Sequence, residues 1–183
     1  MFRLFYLLAD CFSYPPPDPR ESKIWSVLPT IAQKLHLNIP DLDNLSQDLL
    51  RSEYTRLFIS APYGPPAPPY ASVYLSPEGI LYQKGYDEAQ KFYSQAGLEP
   101  QEGPEPADHL AFELAFIGRL LEEDRWDILA AFLQKHLLRW YPLFLNRLLA
   151  AKPHPYFAFL ARLTGEVLQN LSEEVCHEKE GFS

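Results

Sequence analysis

Residues 105–123, EPADHLAFELAFIGRLLEE, can be laid on a helix with a different character on each side. At 100° per residue His109, Glu113, Phe116, Ile117 and Leu120 fall along one stripe, and Ala111, Ala115 and Gly118 along the opposite one. The small side can approach a second helix closely. The other mixes an imidazole and a carboxylate with aromatic and aliphatic neighbours, the composition of a groove wall for a ligand both apolar and cationic. Pro106 stands where helix starts favour proline, so the helix is expected over 106–122. Asp108 then falls in its first turn, near the exposed N–H groups, and His109 and Glu113 make an ordinary pair one turn apart.

Working outward, the same period recurs along most of the chain. Residues 2–13 are apolar nearly all round and stop before YPPPDP, which reads as a buried first helix. Ile24, Leu28, Ile31 and Leu35 mark a helix over about 20–37, in which Pro29 argues for a kink or a break. Further helices are expected over about 42–59, over 86–96 with Gly97 as the stop, and over about 124–136. Pro142 suggests a fresh start near 141, and the last helix runs over about 155–175, with a flexible tail at about 176–183. No alternating strand pattern, internal repeat or Gly-rich phosphate loop is present. The expectation is an all-α, single-domain helical bundle over residues 1–183.

Composition narrows the classes. Of 183 residues 47% are apolar and 22% charged, enough for a sizeable core and too apolar for disorder. The net charge of −8 argues against nucleic acid or an anionic membrane as main partner and permits a basic one, such as an arginine-bearing peptide. Cys11 and Cys176 are far apart and form no CxxC, so reduced thiols are expected rather than a zinc site or a disulfide framework. The six-residue apolar run at the N-terminus is interrupted by Asp10 and followed by no small-residue cleavage site, and no stretch reaches the length of a membrane span. A cytoplasmic protein is expected. His109 and Glu113 have the spacing of metal ligands on a helix, but no third ligand stands in recognisable relation to them. GxSxG and HExxH are both missing from the chain, and no metal, cofactor or catalytic residue is assigned.

Residues 54–75, YTRLFISAPYGPPAPPYASVYL, interrupt the helical pattern with five prolines and four tyrosines. Such a loop, centred on 60–72, either covers the helices or holds Tyr70 and Tyr74 ready for a ligand at small entropic cost. The segment resembles the signature of the TorD/DmsD/NarJ family of redox-enzyme maturation chaperones: a Tyr-x-x-Leu-Phe element, then Pro-Pro-Tyr and Ser-Val-Tyr. About forty residues later Asp108, His109, Glu113 and Leu114 match the family's Asp-His and Glu-Leu, and residues 132–144, FLQKHLLRWYPLF, match its His-Leu-Leu-x-Trp stretch.

The resemblance implies an all-helical cytosolic chaperone without turnover of its own. Such a chaperone binds the twin-arginine leader, or an N-terminal segment, of a molybdopterin oxidoreductase subunit and assists cofactor insertion and assembly before export. A leader of this kind needs carboxylates beside an apolar trough. Asp108, His109 and Glu113 are expected to form the polar part of a peptide site, and Tyr54, Leu57, Phe58, Pro68, Pro69, Tyr70, Tyr74 and Phe116 the apolar part. Where the family often carries an acid after Pro-Pro-Tyr, this chain has Ala71, which shifts the expectation to Asp108 and Glu113, with Glu53 or Asp87 in reserve. Asp108→Asn is then expected to weaken leader binding and leave the fold intact. Rival expectations are a NarJ-type chaperone for a nitrate reductase subunit, a metal-assisted hydrolase or nucleotide-using enzyme built on His109 and Glu113, and a structural subunit. A homodimer formed by segment exchange would hinge at 97–106 or 150–155.

Overall fold

A computed structural model describes residues 1–99 and 105–180, with the backbone alone for 24, 25 and 176–180. The regular elements of the described residues are all helices, and their single extended pairing is an isolated bridge between Tyr70 and His109. Helix α1 (Phe2–Cys11) buries Phe5, Leu8 and Cys11 and lies along α6 (Leu110–Glu122). The small stripe makes that approach close: a Cβ at Gly118 would stand 3.1 Å from the Tyr6 ring. Burial pushes the free Cys11 thiol up to about 12, so it stays protonated.

Of the kink or break expected at Pro29, helix α2 (Ile24–Lys34) shows no break; Pro29 is exposed, so the carbonyl it leaves unbonded can be hydrated. Helix α3 (Gln47–Tyr54) starts later than 42 because Ser46 caps it, accepting from Leu49 N at 3.1 Å, while Asp41 to Leu45 form turns. It widens into a π-turn, Thr55–Ile59, which delivers the chain to the proline loop.

That loop is pinned at three points. Ala67 N donates to Leu57 O at 3.0 Å, Leu110 N to Pro69 O at 2.8 Å, and Arg147 Nε to Pro66 O at 3.0 Å. The Ser-Val-Tyr segment then forms an unexpected short helix, α4 (Ala71–Leu75), and α5 (Lys84–Gln95) ends as expected at Gly97, whose φ is +76°. Helix α5 abuts α4 so closely that a Cβ at Gly85 would lie 2.4 Å from Ser72 N, which only glycine avoids.

Helix α6 begins at Leu110, four residues after Pro106, because His109 is its N-cap. Helix α7 (Trp126–Phe132) passes through a second π-turn, Leu133–Leu137, into α8 (Leu138–Ala150). The expected new start at 141 is therefore absent, and Pro142 lies inside α8. A proline clashes with the carbonyl four residues before it, and Leu138, at that position, has ψ of −7° instead of about −42°, swinging its carbonyl aside. Helix α9 (Pro155–Glu180) is the longest, and residues 181–183 of the expected tail lie outside the described residues, as do 100–104 of the first expected hinge.

The buried side chains form one apolar cluster with Trp140, Tyr141 and Phe144 of α8 among its largest members. Among the described residues no helix is long and apolar enough to cross a membrane.

Candidate functional site

The polar residues of the motif segment separate into two groups once folded. The first is interior and binds the chain to itself. Asp108, with no exposed surface, accepts from Ser72 N through Oδ2 at 2.7 Å and so caps α4. Ser72 in turn accepts through Oγ from Gln83 N at 3.2 Å and Tyr86 N at 3.0 Å, capping α5. Burial raises the Asp108 carboxyl above its ordinary range, against the pull of the Ser72 bonds.

Glu113 is spent in the same way. Its Oε1 meets His136 Nε2 at 2.7 Å and its Oε2 accepts from Trp140 Nε1 at 3.0 Å, with all three side chains fully buried. His136 Nδ1 lies 3.3 Å from Glu88, which also binds Arg139. Burial raises the Glu113 carboxyl. Burial pushes the His136 imidazole down, but the Glu113 and Glu88 carboxylates more than reverse this and leave it above its ordinary value. The expected His109–Glu113 side-chain pair does not form, because the helix starts at 110 and turns Glu113 inward under α8.

The second group surrounds a pocket of about 220 Å³. Tyr54 and Phe58 form its aromatic floor, 4.8 Å apart between ring centroids. Ser13 and Tyr14 stand on one side, Pro69, Tyr70 and Glu105 on another, and His109, Ala111 and Phe112 at the start of α6 close the third, with Ile59 at the rim. The pocket thus takes residues from two proline–tyrosine segments, Ser13 and Tyr14 of SYPPP and Pro69 and Tyr70 of APPY. Tyr14, Ile59 and Phe112 are about half exposed and continue the apolar surface outward.

The chemistry of the pocket is set by two groups. His109 Nδ1 accepts from Ala111 N at 3.1 Å, which places the ring proton on Nε2, and burial pushes the imidazole down to about 4, so it is neutral near pH 7. Glu105 is then the one formal charge among the described lining residues, and its carboxylate accepts the Tyr70 phenol at 2.6 Å. Burial, and next Glu105, hold the Tyr70 phenol well above its ordinary value.

Of the residues singled out from sequence, Tyr54, Phe58, Pro69, Tyr70 and His109 meet at the pocket. Leu57 is fully buried, and Phe116 packs edge-on against Tyr93 and Phe132. Tyr74 stacks on Trp140 at 5.6 Å with the Arg147 guanidinium over its ring, and Pro68 is half-buried outside the lining. Of the reserve acids, Glu53 is taken by Arg56 at 2.8 Å and by His154 N at 2.7 Å, and Asp87 lies away on α5. Sequence reading missed Glu105, Tyr14 and Phe112 at the pocket and His136 inside. A signal for His136 was available, since His136 and Trp140 are four residues apart and offer two N–H groups to one carboxylate. Among the described residues no His, Cys, Asp and Glu gather as a metal site, and His136 serves Glu113 instead.

Fold and pocket define a class: an all-helical protein with an acidic, aromatic pocket beside a pinned proline loop. Comparison with known proteins gives the family. Residues 21–146 match the family model described as nitrate reductase delta subunit. A Haemophilus influenzae protein described as a Tat proofreading chaperone, DmsD, is 30% identical over 177 residues, covering 89% of this chain and 85% of its own length. The chaperone protein TorD of Vibrio parahaemolyticus is 34% identical over 117 residues, 57% of this chain and 54% of that protein. The crystal structure of an Archaeoglobus fulgidus protein described as a redox enzyme maturation protein superimposes with a TM-score of 0.65 at 28% identity, over 92% of this chain and 94% of that one. The chain belongs to the nitrate reductase delta subunit family, the family of TorD, DmsD and NarJ that its motifs resemble. It is a maturation chaperone of that family rather than an enzyme.

Proposed function

We propose that the chain, acting as one unit, binds the N-terminal leader of a molybdopterin-dependent oxidoreductase subunit in the Tyr14–Tyr70–His109 pocket and supports that subunit's assembly before export. The observation that carries this is the single carboxylate, Glu105, at an otherwise aromatic and uncharged pocket. A guanidinium gains a charge-assisted, two-point bond there and aromatic faces to stack on, and the apolar rim of Ile59 and Phe112 receives the residues that follow. At about 220 Å³ the pocket is below the roughly 300 Å³ of small-molecule sites and suits a side chain of a peptide. Relatives named as Tat proofreading chaperones support the same reading; because the proposed step precedes export, the proposal includes a cytoplasmic site of action. Asp108 and Glu113 act here as scaffold for the pocket.

The test is calorimetric titration with a synthetic twin-arginine leader and its twin-lysine counterpart at two salt concentrations. Micromolar or tighter binding that favours arginine and weakens with salt is expected; equal, salt-independent affinity for both would overturn the reading.

A further inference from the structure

Tyr70 and Glu105 line the same pocket and are bonded to each other, phenol to carboxylate, at 2.6 Å. The phenol is delivered there by a backbone held on both sides. Leu110 N binds Pro69 O at 2.8 Å and Ala71 N binds Asp108 O at 3.1 Å, so the chain at Tyr70 is bridged to His109, whose ring it also meets edge-on at 5.0 Å. The most direct acceptor for a cation in the pocket is therefore already engaged by a neutral donor of the protein's own.

We propose that Tyr70 is an internal competitor for the ligand: its phenol holds the place on Glu105 that a ligand's guanidinium takes. The inference rests on the function proposed above and adds a regulation of that site. Arginine entry exchanges one hydrogen bond from a neutral phenol for two from a cationic guanidinium and frees the Tyr70 ring to stack on the incoming group. The exchange lowers the affinity of every cationic ligand by the same factor, the fraction of molecules in which Glu105 is free. Weak cationic segments then fail to be retained, and a bound leader faces a competitor that promotes its release.

Tyr70→Phe keeps the ring and removes the competing donor. It is expected to bind both the twin-arginine and the twin-lysine leader roughly three- to tenfold more tightly than the unaltered protein, with the ratio between them unchanged. Glu105→Gln is expected to lose the preference for arginine, and in that background Tyr70→Phe should bring no gain. Circular dichroism and urea unfolding establish that the variants are folded. Unchanged or weaker binding by Tyr70→Phe, or an equal gain with and without Glu105, overturns the competitor while leaving the leader reading standing. Failure of the unaltered protein to bind either leader overturns both.

Discussion

His109 and His136 are both buried, yet their imidazoles shift in opposite directions. His109 stands at the pocket wall, touches backbone and aromatic rings, and is held neutral, its imidazole pushed down to about 4. His136, inside the bundle, lies between Glu113 and Glu88 and is held above its ordinary value. What differs is carboxylate contact: desolvation alone expels the proton, and a carboxylate at 2.7 Å brings it back. The same division runs through the molecule. Interior acids such as Asp108 and Glu113 bond donors of neighbouring helices and hold those helices together, whereas the pocket has one charge and a largely aromatic surface, which leaves capacity for a ligand.

The comparison can be broken most forcefully at Glu113. Glu113→Ala strands the His136 and Trp140 N–H groups in the core, and a loss of about 3–5 kcal/mol in urea unfolding is expected. A loss below about 1 kcal/mol would show that the interior network is not structural.

Next in size is the pH dependence of the two histidines. His109 has its folded pKa below the ordinary 6.5, so its contribution to stability is present above 6.5 and is lost as pH falls through about 4. The stability difference between the unaltered protein and His109→Gln should therefore shrink by up to about 3 kcal/mol on acidification from pH 7.5 to 4. For His136 the folded pKa is raised, so its contribution is complete below 6.5 and is lost as pH rises through the folded value. The difference between the unaltered protein and His136→Gln should shrink in the alkaline direction. Parallel pH profiles for the two variants would remove the distinction between the histidines.

Ser72→Ala deletes the hydroxyl that caps α5 and should cost about 1–2 kcal/mol, read from the urea midpoint. The smallest effect belongs to the pocket: Glu105→Gln should change stability by no more than about 0.5 kcal/mol, since its carboxylate is exposed and bonds only the Tyr70 phenol among the interactions described. A large loss there would turn Glu105 into another structural acid and sharpen the search for a different ligand contact.

Much of the architecture was legible because helix period is local. The buried first helix, the last helix beginning at 155, the stop at Gly97 and the small side of α6 against α1 follow from residues close along the chain. Helix starts were less legible, since Ser46 and His109 cap through contacts that a propensity reading places inside a helix. Pro29 read as a kink or a break and Pro142 as the mark of a fresh start near 141, yet both helices continue, one with its proline exposed and the other after Leu138 opened its ψ. In the site, Tyr54, Phe58, Pro69, Tyr70 and His109 were recognisable from motif and composition, while Leu57 and Phe116 were drawn into the core by the same apolar character that had recommended them.

The sequence by itself determined that the chain is helical, that a stiff aromatic loop divides it, and that the acids of EPADHLAFEL accompany that loop, because period, proline content and residue type are properties of neighbours along the chain. Only the tertiary structure decided which acid is free for a ligand. Helix α8 covers Glu113 with two donors, α4 lays its first N–H groups on Asp108, and Glu105, covered by neither, is left at the pocket with a single phenol to displace. A carboxylate's role is fixed by what packs over it, and those partners lie tens of residues away in sequence.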